Sequence, residues 1–161
     1  MRRDSMLEDS HFGASKVRRL EARDVPAIKA IARESPQAAA WADESYEELD
    51  REGQFAWVVE SSDCVCGFLI ARKVASDEAE ILNLAVGVSN RRAGNATTLL
   101  AACIGELTRV GIQRVFLEVR ESNVAAISLY EKAKFVSTGR RPRYYQNPSE
   151  AAVLLIRKLT G

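Results

Sequence analysis

Apolar residues recur with two different periods along this chain. Residues 17–20, 55–59 and 66–74 are short, β-prone runs. The last two flank Asp63 and predict a hairpin. Residues 80–88 are mostly apolar (Ile81, Leu82, Leu84, Ala85, Val86, Val88), as in a strand buried on both faces. The period then changes: Ala96, Leu99, Leu100, Cys103, Ile104 and Leu107 follow helical spacing, and Gly111 stops that helix. Strands are expected at 114–119, from 135 to 139, and at 152–156, with a helix capped by Asn123 and running through Lys132. Near the start, Asp24 is placed to cap a helix with Pro26 in its first turn, ending about Glu34. A second helix over 44–51 would end at Gly53. The order is β-α-α-β-β-β-α-β-α-β-β, a mixed three-layer α/β domain rather than a doubly wound parallel sheet.

A length of 161 residues fits one domain, and 47% apolar content is enough for a core. Basic residues number 23 and acidic residues 22, so a net charge of +1 gives no long-range pull on a polyanion. Nucleic acid is therefore not expected as the main partner. No apolar run approaches the ~20 residues of a membrane span. The first fifteen residues are polar, lack the apolar middle of a secretory signal, and read as a loose extension ahead of a domain over 16–161. The cytoplasm is the default address. Cys64, Cys66 and Cys103, with a single histidine at position 11, do not form a zinc-ligand set, and no metal is expected.

The sharpest local feature is Arg91-Arg92-Ala93-Gly94-Asn95-Ala96, between the buried strand and the amphipathic helix. A helix's first turn leaves N–H groups unsatisfied and carries partial positive charge. Gly94 and small Ala96 leave room for a pyrophosphate to accept those bonds, and Arg91 and Arg92 add charge. An ordinary capped helix would share these residues. A dinucleotide site would want three glycines after the first strand of the fold.

This turn fits the pattern Q/R-x-x-G-x-G/A through Arg91, Gly94 and Ala96. Before it stands Ile81-Leu82-Asn83-Leu84-Ala85-Val86; after it come Leu117-Glu118-Val119-Arg120, Ser122-Asn123 and Ala125-Ala126-Ile127-Ser128-Leu129-Tyr130-Glu131. In this order and spacing the blocks resemble the GNAT acetyltransferases and, within them, the bacterial ribosomal-protein alanine N-acetyltransferases. Three positions depart from that pattern. Ala133-Lys134 stands where leucine-glycine is usual, Ala96 replaces a glycine, and Gly87-Val88 replaces aspartate-proline.

The resemblance implies a mostly antiparallel seven-stranded sheet, splayed between strands 4 and 5 and flanked by about four helices. It implies acetyl-coenzyme A in the splay. Backbone groups of Leu84, Ala85 and Val86 would meet the pantetheine arm, and one amide would face the thioester oxygen. Arg91, Arg92, Ala93, Gly94, Asn95, Ala96 and Thr97 would surround the pyrophosphate, and Asn123 would bond the arm. Glu118 would be the base and Tyr130 the acid, with Glu80 as the rival base. Trp41, Tyr144 and Tyr145 would lie on the acceptor side.

The acceptor would be a protein N-terminal amine, such as that of a ribosomal protein. Its pKa of about 7.7–8 leaves far more neutral amine than a lysine's 10.4 does. A glutamate near 4.3 would need burial or a relaying water to act as base. As bland alternatives, Glu118 could simply pair with Arg114 or Arg120, and Tyr130 could be a core residue. A small-molecule amine acetyltransferase and a non-catalytic acyl-coenzyme A sensor remain the other functional readings.

Overall fold

Seven strands make one sheet in the order β1-β2-β3-β4-β5-β7-β6. They are β1 Lys16–Arg19, β2 Gln54–Ser61, β3 Cys64–Ala75, β4 Glu78–Val86, β5 Arg114–Arg120, β6 Val136–Tyr145 and β7 Glu150–Lys158. The structure, a computed structural model, describes residues 15–35, 45–46, 49, 53–91 and 93–159. Three helices are described: α1 Val25–Arg33, α2 Asn95–Arg109 and α3 Val124–Lys132. Of the helix expected over 44–51, Ser45 and Tyr46 are helical and most of the rest lies outside the described residues. So do residues 1–14, nearly all of the expected extension.

Every neighbouring pair is antiparallel except β4 and β5. The two faces of the sheet are covered separately. Leu99, Leu100, Cys103, Ile104 and Leu107 of α2 pack with Val115, Leu117 and Val119 of β5 and with Tyr130 and Phe135. On the other face Ile28 and Ile31 of α1 pack with Val58, Phe68, Ile70 and Ala85. The apolar run in β4 is thus explained by burial on both sides. A bulge aids it: Ile70 faces Asn83 while Ala71 faces Ile81, leaving Leu82 as the extra residue. The bulge shifts parity, so Ile81 and Leu84, three apart, both join the α2 cluster.

Both long turns after helices are built alike. At the end of α2, Ile112 N–H donates to Leu107 O at 2.9 Å and Gly111 N–H to Thr108 O at 3.1 Å, with Gly111 at φ 92°. At the end of α3, Phe135 N–H donates to Tyr130 O at 3.0 Å and Lys134 N–H to Glu131 O at 2.9 Å. These are Schellman pairs, which need a left-handed residue. In α3 that residue is Lys134, at φ 72°. The lysine therefore keeps the cap a glycine would make, at the cost of a strained backbone.

Asp24 is not the expected side-chain cap. It is 3% exposed, and its two oxygens each accept from Arg18 at 2.8 Å. Residues Ala22–Asp24 form a 3-10 turn ahead of α1, and Glu21 N–H also donates to Asp24 at 2.7 Å. Arg18 reaches Glu60 as well, at 3.0 Å. The aspartate thus ties β1, β2 and the entry to α1 together, and Arg18 holds its carboxyl below the usual range.

Candidate active site

β4 and β5 run parallel but pair at three positions only: Glu78 with Arg114, Ala79 with Val115, Glu80 with Phe116. From Ile81 and Leu117 onward the strands part, each still bonded to its outer neighbour, β3 or β7. The result is a wedge-shaped slot through the sheet. Gly87 N–H donates to Cys66 O at 2.8 Å. By the alternation of an antiparallel ladder, Ala85 then turns its backbone to β3, while Leu84 and Val86 turn theirs to the slot. Of the three residues expected along the pantetheine arm, Leu84 therefore turns both backbone groups to the slot and Val86 its N–H, the Val86 carbonyl being taken by Arg91. The backbone of Ala85 is already committed.

The phosphate turn sits at the wide end. Gly94, at φ 81°, is the N-cap of α2, and a Cβ there would meet nothing within 4 Å. The first intrahelical bond runs from Thr98 N–H to Gly94 O at 3.0 Å. The amides of Asn95, Ala96 and Thr97 precede it, and the N-cap glycine has no side chain to satisfy them. Bare backbone, open space and unsatisfied donors fit a pyrophosphate. Ala93 is exposed beside them, and Arg92 lies outside the described residues.

Two of the predicted phosphate residues have structural duties. The Arg91 guanidinium donates to Val86 O at 3.1 Å and to Ser35 Oγ at 3.3 Å, tying the turn to the end of α1. Glu34 reinforces that joint by accepting Val88 N–H at 3.0 Å. The Asn95 side chain is buried, accepting from Ser15 Oγ at 2.8 Å and donating to Asn90 O at 3.1 Å. Only its backbone amide is available to a ligand. Asn123 caps α3 by accepting Ala126 N–H at 3.1 Å, so its Oδ1 is engaged.

The predicted catalytic pair is divided by the sheet. Val115, Leu117 and Val119 of β5 face α2 and α3, so Phe116, Glu118 and Arg120 face the other way. Tyr130 lies on the α2 side, edge-on to Phe135 with ring centres 5.4 Å apart. Burial, and then the Cys103 thiol, push its phenol well above the ordinary value. Burial likewise pushes the Cys103 thiol up to about 12, leaving it an inert core group.

Glu118 does not pair with Arg114 or Arg120. Arg114 binds Glu78 at 2.5 Å. Arg120 binds Glu150 at 3.1 Å and donates to Pro148 O at 3.4 Å and Gln146 O at 3.3 Å. Glu118 instead meets Arg141 of β6 at 3.5 Å. The Tyr144 hydroxyl is also directed at Glu118; that contact, with desolvation, raises its phenol. Desolvation first, then the Glu118 charge, push Tyr145 up to about 12. The two tyrosines stand edge to face at 5.0 Å, with Arg120 over Tyr145 at 4.5 Å and Arg141 over Tyr144 at 5.6 Å. Glu80 lies one strand over and is held by Arg72 at 3.1 Å. Trp41 lies outside the described residues.

Glu118, Glu80, Tyr144 and Tyr145 thus gather at one mouth of the slot. Arg120 and Arg141 are not among the residues expected at the site, and of the two only Arg120 carries a signal in the sequence. Arg120 is two residues beyond Glu118 and must share its face. A cavity of about 710 Å³ beside α1 includes none of these residues among the described ones that line it. Among the described residues no three histidine, cysteine, aspartate or glutamate side chains group as for a metal, and no helix is long and apolar enough to cross a membrane.

Comparison with known proteins agrees with this architecture. Residues 17–135 match the acetyltransferase (GNAT) family. The ribosomal protein bS18-alanine N-acetyltransferase of Escherichia coli K12 is 33% identical over 126 residues, covering 78% of this chain and 84% of that protein. The crystal structure of the ribosomal-protein-S18-alanine N-acetyltransferase from Escherichia coli superposes with a TM-score of 0.80 at 30% identity, over 92% of this chain and 96% of that one. Ard1 from Thermoplasma volcanium gives 0.83 at 28% identity, over 92% and 99%. Arabidopsis thaliana NAA60 in complex with acetyl-CoA, at 18% identity, shares the fold with a TM-score of 0.82, over 92% and 100%. The uncapped turn at Gly94, the parted strands and these relatives converge: the chain belongs to the GNAT family and is an acetyl-CoA-dependent N-acetyltransferase.

Proposed function

We propose that the enzyme acetylates the N-terminal α-amine of a protein, with Glu118 as proton acceptor and Tyr130 as proton donor. The observation that carries this reading is their placement on opposite faces of the sheet, with Glu118 on β5 where it has parted from β4 and Tyr130 in the cluster on the α2 side. A thioester threaded through the gap would present its carbonyl to the Glu118 mouth and its sulfur to the Tyr130 side. The pantetheine arm would pair with the free edge at Leu84 and Val86, and the pyrophosphate would accept the amides from Asn95 to Thr97. A strand-edge amide would also donate to the carbonyl oxygen as charge develops there.

At neutral pH an α-amine arrives mostly as ammonium, with a pKa about 7.7–8. One proton leaves by way of Glu118 to solvent. The freed nitrogen attacks the carbonyl carbon, the C–N bond forms and the C–S bond breaks. The second nitrogen proton leaves by the Glu118 side, and Tyr130 supplies one to the sulfur and regains one from solvent once the thiol has left. Burial raises the Tyr130 phenol, which favours its protonated form. The same dry surroundings raise the basicity of the departing thiolate, which eases the transfer.

The acceptor assignment is supported by the curated relatives, whose names specify the alanine of ribosomal protein bS18. Tyr144 and Tyr145 beside Glu118 suit the backbone of an extended peptide. A ribosomal-protein acceptor would place the reaction in the cytoplasm. The test is thiol release from acetyl-coenzyme A with a panel of amines. Peptides with free N-terminal alanine or serine should turn over, while N-blocked lysine peptides, spermidine and an aminoglycoside should not. Turnover confined to the small amines would overturn the acceptor assignment, and coenzyme A binding without turnover would overturn catalysis.

A further inference from the structure

We propose that Arg141 is an exchangeable counter-ion for Glu118, displaced by the ammonium group of the acceptor as it enters the slot. The inference rests on the reading of Glu118 as the group that meets the acceptor amine.

Glu118 is the more enclosed partner, with its side chain 15% exposed against 56% for Arg141. Their contact is a single one, Nη2 to Oε1, at 3.5 Å. Neighbouring arginines are held far more firmly. Arg140 forks onto Glu121 at 2.7 and 3.0 Å. Arg120 has three oxygen acceptors and the Tyr145 ring. Arg141 has, besides Glu118, only the half-exposed ring of Tyr144 at 5.6 Å among the described residues. The other charged groups at this mouth are engaged elsewhere: Glu80 with Arg72 across β3 and β4, and Glu150 with Arg120 across β5 and β7. Arg141 is thus the one loosely held cation at the Glu118 carboxylate among the described residues.

This arrangement has a chemical consequence. A carboxylate in a narrowing slot needs a counter-charge when no substrate is bound. A planar guanidinium making one long contact gives up little when it leaves. An ammonium group is compact and can donate directly to the carboxylate. Exchange of cation for cation leaves the net charge of the mouth unchanged. A blocked, neutral N-terminus cannot make that exchange. Selection of a charged amine then follows from competition with Arg141, in addition to any contact with the peptide.

The test is calorimetric binding of an alanine-initiated peptide to the enzyme–coenzyme A complex. Arg141→Gln removes the competitor, so the peptide should bind about three-fold more tightly, the scale of an exposed ion pair. Arg141→Lys, which keeps a cation, should restore weaker binding. The Nα-acetylated peptide should bind Arg141→Gln and the unsubstituted enzyme equally. In a Glu118→Gln background, Arg141→Gln should have no effect. Weaker or unchanged binding to Arg141→Gln would overturn the proposal, because a structural or substrate-contacting arginine has that sign. A gain that persists without Glu118 would overturn it too. Turnover of Glu118→Gln judges the base assignment separately: a wild-type rate would discard the base and leave Arg141 standing as the counter-ion.

Discussion

Glu118 and Tyr130 lie on opposite faces of one sheet, Glu118 on the strand that parts from β4 and Tyr130 in the cluster on the α2 side. Parity along β5 fixes this, since Leu117 and Val119 are committed to the α2 core and Glu118 must point away. The Schellman turn fixes the other half. It folds Phe135 back onto Tyr130 and sets the ring in the cluster on the α2 side. The following expectations test the parts of this arrangement in turn.

At the phosphate turn, Gly94→Glu should weaken acetyl-coenzyme A binding by at least about 100-fold. A Cβ at this position meets no protein atom within 4 Å. The damage would come from a carboxylate set beside the phosphates and from a left-handed backbone that glutamate resists. Affinity by calorimetry checks this, and an unchanged value would remove the phosphate site.

Lys134→Gly should stabilise the protein by about 1 kcal/mol, because glycine adopts φ 72° without the steric penalty a lysine bears. A melting-temperature rise of about 2–4 °C is the matching signal for a domain of this size. A fall would mean that the lysine stem contributes packing that outweighs its strain.

The ion pair of Asp24 and Arg18 should make stability depend on pH in acid. The folded carboxyl sits below its unfolded value. Its contribution is therefore complete above pH ~4 and is lost as pH falls through the depressed folded value. Asp24→Asn should cost about 2 kcal/mol at neutral pH. That gap should close toward pH 2 in urea titrations run across the range. A gap that stayed constant with pH would show that the charge of Asp24 is not what matters.

Arg120 pins the turn after β6 through Glu150, Gln146 and Pro148. Arg120→Ala should raise the acceptor KM by about 10-fold through a displaced Tyr144–Tyr145 wall, while acetyl-coenzyme A affinity holds. Arg120→Lys should recover part of the loss. Equal damage to both substrates would mean general loosening instead.

How much of this could be read from the chain depended on whether the signal was local. The succession of strands and helices along the chain, the two helices around the slot and the cap at Asn123 followed from periodicity and single residues. So did the turn at Gly94, because a helix start is a short-range event. The partners of charged groups were not legible. Asp24 looked like a cap because its type and position suit one, yet Arg18, six residues away, outcompetes the helix amides for it. Arg91 looked like a phosphate ligand, but Val86 O and Ser35 lie within its reach once the chain turns back. The ion-pair partners open to Glu118 as an alternative to catalysis were on its own strand, while its cation comes from β6, brought alongside only by the crossing of β7 between them. The commitment of Ala85 to β3 required the register of the ladder, which no single strand carries.

The most direct measurement is acetyl transfer to an alanine-initiated peptide by Glu118→Gln and Tyr130→Phe, with acetyl-coenzyme A affinity determined for both. Cofactor affinity should stay near that of the unsubstituted enzyme while kcat falls about 100-fold in each, the range of a lost acid or base. Wild-type rates in both variants would contradict the assignment and show that the two faces of the slot do not supply the protons.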